Sequence, residues 1–133
     1  MNTEVIRDRD DRLISIRPIL NLNNQNSLHL EKFQNETLRP ILKLQNPIII
    51  QIFKEFLTEK HPKFNVFNQT VQKNIVKESL KKEIKLKNDL VALIQGLLTF
   101  DEYKIYRLHF QVLNKRITEM LISRIESQME ELY

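Results

Sequence analysis

The sequence predicts an all-α protein, an elongated helical bundle with kinked N-terminal helices and a long C-terminal helix, and it favours a dimer. The chain has 133 residues with one glycine and four prolines, so it offers few places for a sharp turn. Beyond residue 26, apolar residues recur every three or four positions, the period of a helix with one buried face. We therefore divide the chain into an N-terminal arm and linker, residues 1–26, and a single helical domain, residues 27–133.

The same composition excludes several classes of function. Dinucleotide fingerprints, phosphate-binding loops and nucleophile elbows need several glycines at fixed offsets, and Gly96 is the single glycine. The lack of cysteine excludes thiol catalysis, cysteine-bound zinc and disulfides. The Glu-x-x-His pairs of a helical di-metal site do not occur around any of the three histidines. We therefore expect no catalytic residue, no metal ligand and no cofactor.

The N-terminal sequence and the lengths of the apolar segments indicate where in the cell the protein is expected. The chain opens with polar residues and a mixed-charge run from Arg7 to Arg12, unlike the apolar core of a signal peptide. The longest apolar segments, 48–50 and 90–94, are far shorter than the roughly 20 residues of a membrane span. We expect a cytoplasmic protein that does not enter a membrane.

The N-terminal arm differs in composition from the rest of the chain. It contains the mixed-charge run, a short apolar stretch (13–16), then Pro18 and an Asn-rich segment, 21–26. Ile14 and Ile16 alternate around a serine, as apolar residues do in a half-buried extended strand. The pattern indicates an extended strip on the core or on a second subunit, followed by a linker.

Two helices are predicted between residues 27 and 60. Ser27 is a suitable N-cap for the first, which Pro40 is expected to kink. Asn46 followed by Pro47 has the pattern of a cap with proline at the first helical position, so the second helix is expected to begin there. It should end near Lys60, because a His-Pro pair follows.

Two further helices are predicted between residues 68 and 98. Asn68 can cap the first of them, which carries an apolar face and a basic face. The pattern changes phase near residues 82–88, and the segment from Leu90 to Leu98 is apolar nearly all round, which is typical of a central buried helix. Gly96 lies on this segment, where a missing side chain permits close packing or loosens the final turn.

The clearest local signal is the capping box of Thr99 and Glu102, which predicts the start of a helix. No glycine or proline follows before Tyr133, so we expect one helix about 50 Å long. A spherical domain of this chain length has a diameter of about 36 Å, so the helix would extend beyond it.

A mixed apolar seam along this helix predicts self-association. A seam this long needs more partner surface than the kinked helices supply, so we expect a second copy of the chain to cover it. Asn114 lies beside the seam, where a polar residue either sets the register between subunits or belongs to an exposed triplet with Lys115 and Arg116. The predicted oligomer interface comprises Tyr103, Tyr106, Phe110, Leu113, Asn114, Ile117, Leu121 and Ile125.

A row of lysines at four-residue spacing lies on the basic face of the third helix. Such a row can follow phosphates or an anionic surface, but the interleaved Glu78 and Glu83 leave a solvated face as the alternative. No aromatic-interleaved motif for single strands and no helix-turn-helix recognition helix accompanies it. The candidate anion-binding residues are Lys73, Lys77, Lys81 and Lys85.

His109 lies beside the apolar seam, three residues after Tyr106. It could act as a partly buried base near Tyr103 or Tyr106, but no nucleophile or orienting carboxylate can be assigned to it. We favour the alternative, a histidine on the flank of the seam without a catalytic role.

Four runs, RDDRLISIRP (9–18), EKFQNETLRPILKLQ (31–45), LTFDEY (98–103) and LNKRI (113–117), resemble a family of short bacterial proteins often catalogued as glyoxalase. That resemblance implies a metal-dependent lyase built from βαβββ modules, with His, Gln and Glu ligands on strands. This sequence is helical in period and poor in glycine, so it departs from that pattern, and no catalytic or metal residue is carried over.

The function favoured by the sequence is that of a non-enzymatic, homo-oligomeric interaction or scaffold protein. The long C-terminal helix would associate with its copy, and the arm would contact a partner subunit or another protein. One alternative is the binding of nucleic acid or another polyanion through the lysine row, and a second is the lyase implied by the resemblance.

Overall fold

The computed structural model describes residues 2–20 and 29–133, and in these ranges every regular element is a helix. The predicted all-α class is therefore confirmed. The predicted Ser27 cap and the Asn-rich segment 21–26 lie outside the described residues. The elements are α1 (Thr3–Ile16), α2 (His29–Phe33), a π-helical turn (Gln34–Leu38), α3 (Arg39–Lys60), a 3₁₀ turn (Phe64–Val66), α4 (Gln69–Lys82), α5 (Ile84–Gln95), α6 (Phe100–Leu108), α7 (Phe110–Glu126) and a 3₁₀ turn (Met129–Leu132).

Residues 3–16 of the arm form the helix α1, so the predicted extended strip at Ile14 and Ile16 is wrong. Asn2 caps α1 by accepting a hydrogen bond from the backbone N–H of Glu4 at 2.7 Å. Asp8 and Arg12, four residues apart, form an ion pair at 3.0 Å on the exposed face. The helix ends at Ile16, and Arg17 after it has the extended backbone that is favoured before a proline. Charge spacing and capping thus outweighed the two-residue alternation of the isoleucines.

The chain from His29 to Lys60 forms consecutive helical segments rather than two helices divided at Asn46. The π-helical turn comes first, and Pro40 lies in the first turn of α3, directly after it. Pro47 lies inside α3, so the predicted helix start there is wrong. Asn46 instead forms a reciprocal amide pair with Gln128, with N···O distances of 3.0 and 2.7 Å.

The Asn68 cap is confirmed, because its side chain accepts a hydrogen bond from the N–H of Val71 at 2.9 Å. Glu83 is extended and separates α4 from α5, which explains the phase change in the sequence. The predicted central helix is wrong in one respect: α5 buries one face only, and Asp89 and Ala92 are exposed. The buried residues of α5 are Leu86, Leu90, Val91 and Ile94.

Gly96 is exposed and has a negative φ, so its backbone conformation does not require glycine. A Cβ atom at this position would have one contact within 4 Å among the described residues, at 3.3 Å from the carbonyl oxygen of Ala92. Close packing of a neighbouring helix therefore does not explain the glycine.

The capping box is confirmed, with the Thr99 hydroxyl accepting from the Glu102 N–H and the Glu102 carboxylate accepting from the Thr99 N–H. The prediction of one unbroken C-terminal helix is wrong, because the helix is interrupted at His109, where φ is −125° and ψ is 30°. The N–H of His109 lies 3.2 Å from the carbonyl oxygens of both Ile105 and Tyr106. An interrupted helix need not project from the core as a straight rod would.

The core is built around α3, which packs against α5 and the C-terminal 3₁₀ turn. α4 packs against α7 and α5, and α7 also contacts the π-helical turn. The apolar faces of these elements therefore enclose one cluster. Its largest fully buried side chains are Phe53, Leu38, Ile41, Leu42, Ile49, Leu80, Leu90, Ile94, Leu98, Leu113, Ile117 and Leu121.

Candidate functional site

Most of the predicted oligomer interface lies in the core of the single chain. Leu113, Ile117, Leu121 and Ile125 are at most 1% exposed, and Tyr106 is 4% exposed. These side chains are covered by helices of their own chain, so they leave no surface for a second copy. The assumption behind the predicted interface, that the earlier helices were too short and too kinked to cover the seam, is wrong for these five residues. The oligomer itself stays a prediction.

Three other predicted interface residues stay partly accessible. Tyr103 is 39% exposed and Phe110 is 40% exposed. Asn114 accepts a hydrogen bond from the Tyr106 hydroxyl at 2.6 Å, across the interruption at His109. Asn114 therefore has a partner within its own chain, and this bond fixes α6 relative to α7.

The predicted lysine row is divided between two helices. Lys73, Lys77 and Lys81 belong to α4, whereas Lys85 lies on α5 beyond the extended residue Glu83. Lys85 forms an ion pair with Asp89 at 2.9 Å. Because the row turns at the end of α4, the four lysines do not form one straight line of charges.

A groove beside α4 and α7 collects lysines from three helices. It has a volume of about 640 Å³ and is lined by Lys77 and Lys81 of α4, Lys87 of α5 and Lys115 of α7. Among the described residues, no carboxylate lies within ion-pair distance of these four ammonium groups. We refer to these four residues and the space between them as the basic groove.

The floor and ends of the basic groove are less charged. Ile122 is 8% exposed and Thr118 is 6% exposed, so the floor is largely buried. Glu119 and Glu126 also line the space, which leaves four cations against two carboxylates. The groove thus carries a net positive charge, and its lining also includes the neutral polar side chains of Gln111, Asn114 and Ser123. The Thr118 hydroxyl donates to the backbone carbonyl oxygen of Asn114 at 2.9 Å, so it is not available to a ligand.

Lys82 has a different environment from the lysines of the basic groove. Its ammonium group lies 2.7 Å from the carboxylate of Glu78, one helical turn away. The hydrogen bond and charge of Lys82 hold the pKa of Glu78 below its usual value, and the same pair raises the pKa of Lys82. Lys82 is therefore neutralised locally, whereas the positive charges of the groove lysines stay available.

The sequence pattern identified two members of the basic groove and missed two. Lys77 and Lys81 were predicted from their spacing, but Lys87 and Lys115 lie on other helices. Periodicity relates residues within one helix, and only the packing of α4 against α7 brings Lys115 to the row. Lys73 does not line the groove.

A separate polar cluster joins α1 to the connection between α5 and α6. Arg9 donates hydrogen bonds to the carbonyl oxygens of Leu98 and Gly96, both at 2.9 Å, and Arg17 donates to that of Leu97 at 3.0 Å. The cations thereby satisfy free carbonyl groups at the negative end of α5.

Two carboxylates of the same cluster lie at the positive end of α6. Asp10 accepts a hydrogen bond from the N–H of Phe100 at 3.0 Å. Arg17 donates to both carboxylate oxygens of Glu102, at 2.8 and 2.5 Å. Burial raises the pKa of Glu102, but the hydrogen bonds from Arg17, from the Thr99 backbone and from Thr37, together with the Arg17 charge, outweigh it and lower that pKa. We call the contacts of Arg9, Asp10 and Arg17 with the α5–α6 connection the α1 clasp.

The histidines do not assemble a site with other ligating groups. His109 is exposed at the helix interruption, and His61 ends α3, where its ring centroid lies 5.9 Å from that of Phe56. Over residues 2–20 and 29–133, no group of three or more His, Cys, Asp or Glu side chains could hold a metal ion.

Within the ranges that the structure describes, no helix combines the length and apolar character needed to cross a membrane. Comparison of the chain with models of protein families, with curated proteins and with solved structures finds no match.

Proposed function

We propose that this protein binds a linear polyanion, such as a nucleic-acid backbone, in the basic groove. The observation that carries the proposal is the convergence of Lys77, Lys81, Lys87 and Lys115, without ion pairs to described carboxylates, on a single groove. Four like charges in one groove repel one another and attract a chain of phosphates, which releases its counterions on binding. The overall charge of +4 acts in the same direction.

The lining of the groove favours recognition of the backbone rather than of bases. No aromatic side chain lines it among the described residues, so it lacks the stacking platforms that hold exposed bases. Lysine is a flexible point charge without the planar, fixed fork of arginine. We therefore expect binding that depends weakly on nucleotide sequence and strongly on salt.

The test is fluorescence anisotropy with a labelled single-stranded oligonucleotide of mixed sequence, titrated from low to physiological salt. Three to four phosphate contacts predict a log–log salt slope of about −2 to −3. Replacement of Lys77, Lys81 and Lys115 by glutamine should weaken binding at least about 30-fold at low salt. Each lost phosphate contact removes the favourable free energy of releasing the counterions of that phosphate.

The matched control is the triple glutamine variant of Lys32, Lys43 and Lys63, which are exposed and do not line the groove. Both variants lower the net charge by three, so a difference between them reports position rather than overall charge. Equal weakening by the two variants, or no binding by the unchanged protein at low salt, would contradict the proposal.

Self-association is a second candidate function, and the surface that would form the contact differs from the apolar seam predicted from the sequence. Large apolar side chains between residues 100 and 112 are exposed in the single chain, and Leu108 is 79% exposed. Apolar side chains grouped in this way on α6 and the start of α7 are typical of a contact with a second copy. The group comprises Phe100, Tyr103, Leu108, Phe110 and Val112.

Light scattering at micromolar concentration tests this candidate. We expect a dimer for the unchanged protein and a monomer for Leu108→Asp, because a carboxylate at the centre of an apolar contact loses its hydration. Ile84→Asp is the control, since Ile84 is 73% exposed on a different helix. A monomeric unchanged protein would end this candidate.

A further inference from the structure

Three arginines line one cavity between the π-helical turn and α7. The cavity has a volume of about 360 Å³, near the lower end of the range of about 300–1,000 Å³ for small-molecule sites. Arg39 follows the π-helical turn, while Arg116 and Arg124 lie on α7. Ser123 also contributes to the lining, and we call this space the arginine pocket.

The π-helical turn brings the polar side chains of Gln34 and Arg39, five residues apart, to the same pocket. The N–H of Arg39 bonds to the carbonyl oxygen of Gln34, five residues earlier, which is the hydrogen bond that defines a π-helix. Both Gln34 and Arg39 line the arginine pocket. Single π-helical turns inside α-helices are frequent at functional sites.

Two of the guanidinium groups are oriented by hydrogen bonds that they donate to side chains of this turn. Arg116 donates through Nη1 to the side-chain oxygen of Gln34 at 3.0 Å, and Arg39 donates through Nε to that of Asn35 at 2.8 Å. Each bond uses one of the five N–H groups of an arginine. The remaining N–H groups of both side chains are available to an oxyanion.

Arg124 makes no side-chain hydrogen bond or ion pair with any described residue. Burial lowers its pKa below the ordinary value, and the positive charge of Arg39 lowers it further. The Glu119 carboxylate lines the pocket, but it is exposed and lies beyond ion-pair distance of the three arginines. The pocket therefore concentrates positive charge that its own lining does not neutralise.

We propose that the arginine pocket binds the phosphate group of a small molecule. Three arginines and one nearby carboxylate leave two positive charges, which match a phosphate dianion, and arginine forks bind phosphate oxygens in pairs. The Ser123 side chain adds a neutral group to the same wall. The arginine pocket adjoins the basic groove, with which it shares Glu119 and Ser123, but none of the four groove lysines lines it.

Isothermal titration calorimetry of the whole chain at constant ionic strength tests the proposal, with inorganic phosphate, glycerol 3-phosphate and succinate as separate probes. We expect saturable one-to-one binding of the two phosphates and no comparable binding of the dicarboxylate. Tighter binding of glycerol 3-phosphate would assign the ligand to phosphate esters, and tighter binding of inorganic phosphate would assign it to the free ion. Succinate binding as tight as that of phosphate would overturn the assigned ligand class.

Arg124→Gln should weaken phosphate binding about tenfold or more, because one charged donor is lost. It should also abolish the rise in Tm that phosphate causes in the unchanged protein. Arg116→Lys retains the charge but loses the planar fork, so we expect an intermediate loss of affinity. This second variant keeps the test valid even if Arg124→Gln folds poorly.

Arg7→Gln is the matched control, since Arg7 is exposed on α1 and does not line the pocket. Equal weakening by Arg7→Gln and Arg124→Gln would overturn the proposal, as would the absence of saturable phosphate binding. The triple lysine variant of the basic groove should retain phosphate affinity. A failure of the polyanion proposal is therefore distinguishable from a failure of this one.

Discussion

At the scale of single residues, the α1 clasp depends on the pair of Arg17 and Glu102. Their side chains are 9% and 17% exposed, and Thr37 donates a further hydrogen bond to Glu102 at 3.0 Å. The Nε of Arg17 is buried without a hydrogen-bond partner among the described residues. Removal of the carboxylate would leave a buried, uncompensated guanidinium, which is costlier than the loss of an exposed pair.

Glu102→Gln is expected to lower the free energy of unfolding by about 3 kcal/mol at pH 7. Chemical denaturation followed by circular dichroism measures this change. Glu130→Gln is the control, because Glu130 is exposed near the C-terminus. A loss no larger than that of the control would show that the pair contributes little to folding.

The same pair predicts a dependence of stability on acid. The pKa of Glu102 in the folded chain lies below its ordinary value of 4.5, so folding favours the ionised carboxylate. This contribution is fully present above pH 4.5 and is lost as pH falls through the lowered pKa. The difference in Tm between the unchanged protein and Glu102→Gln should therefore be constant from pH 7 to 5 and shrink below pH 4.5. A difference that grows on acidification would contradict this assignment.

At the scale of elements, α7 buries its apolar seam, from Leu113 to Ile125, in the core of its own chain. Leu121 is 0% exposed and lies among other buried side chains of its own chain. Leu121→Ala should therefore destabilise the fold by about 2–5 kcal/mol, because it leaves a cavity. Denaturation at several protein concentrations measures this loss, which should not depend on concentration. Ile84→Ala, at a residue 73% exposed on α5 and outside the apolar group of α6 and α7, is the control.

A concentration-dependent loss for Leu121→Ala, with dissociation of a dimer, would restore the predicted seam interface.

The interruption at His109 is the reason that the sequence misjudged this element. No proline or glycine marks it, and the seam passes through it without a break in apolar spacing. Local helix propensity did not indicate the interruption at His109. The hydrogen bond between Tyr106 and Asn114, which joins α6 to α7 across it, is a tertiary contact that propensity does not report.

At the scale of the whole molecule, α1 is attached to the bundle but does not contribute to its core. No residue of α1 is buried, whereas the hydrophobic cluster begins at Phe33 and extends to Leu132. A chain that begins at residue 27 should therefore unfold cooperatively, with a loss of about 2–4 kcal/mol from the hydrogen bonds and ion pair of the α1 clasp.

Thermal unfolding followed by circular dichroism tests this expectation, with the full chain as reference. The variant Arg9→Gln combined with Arg17→Gln should reproduce much of the same loss without shortening the chain. A shortened chain that unfolds without a cooperative transition would show that residues 1–26 belong to the folded domain.

The sequence by itself determined the helical class, the Asn68 cap, the capping box at Thr99 and most of the buried apolar residues. These features depend on spacing and on hydrogen bonds between residues close in the chain, so local chemistry is sufficient. The spacing of the sequence also placed lysines on one face of α4. The resemblance to glyoxalase-catalogued proteins and the self-association both stay predictions.

The tertiary structure alone decided which faces are covered and which charges meet. It buried the α7 seam in its own chain, divided the lysine row at Glu83 and brought Lys115 to α4. It also gathered Arg39, Arg116 and Arg124 from distant parts of the chain, and it joined Arg17 to Glu102. The physical reason is that burial and electrostatic interaction depend on separation in space, whereas periodicity and capping report only separation along the chain.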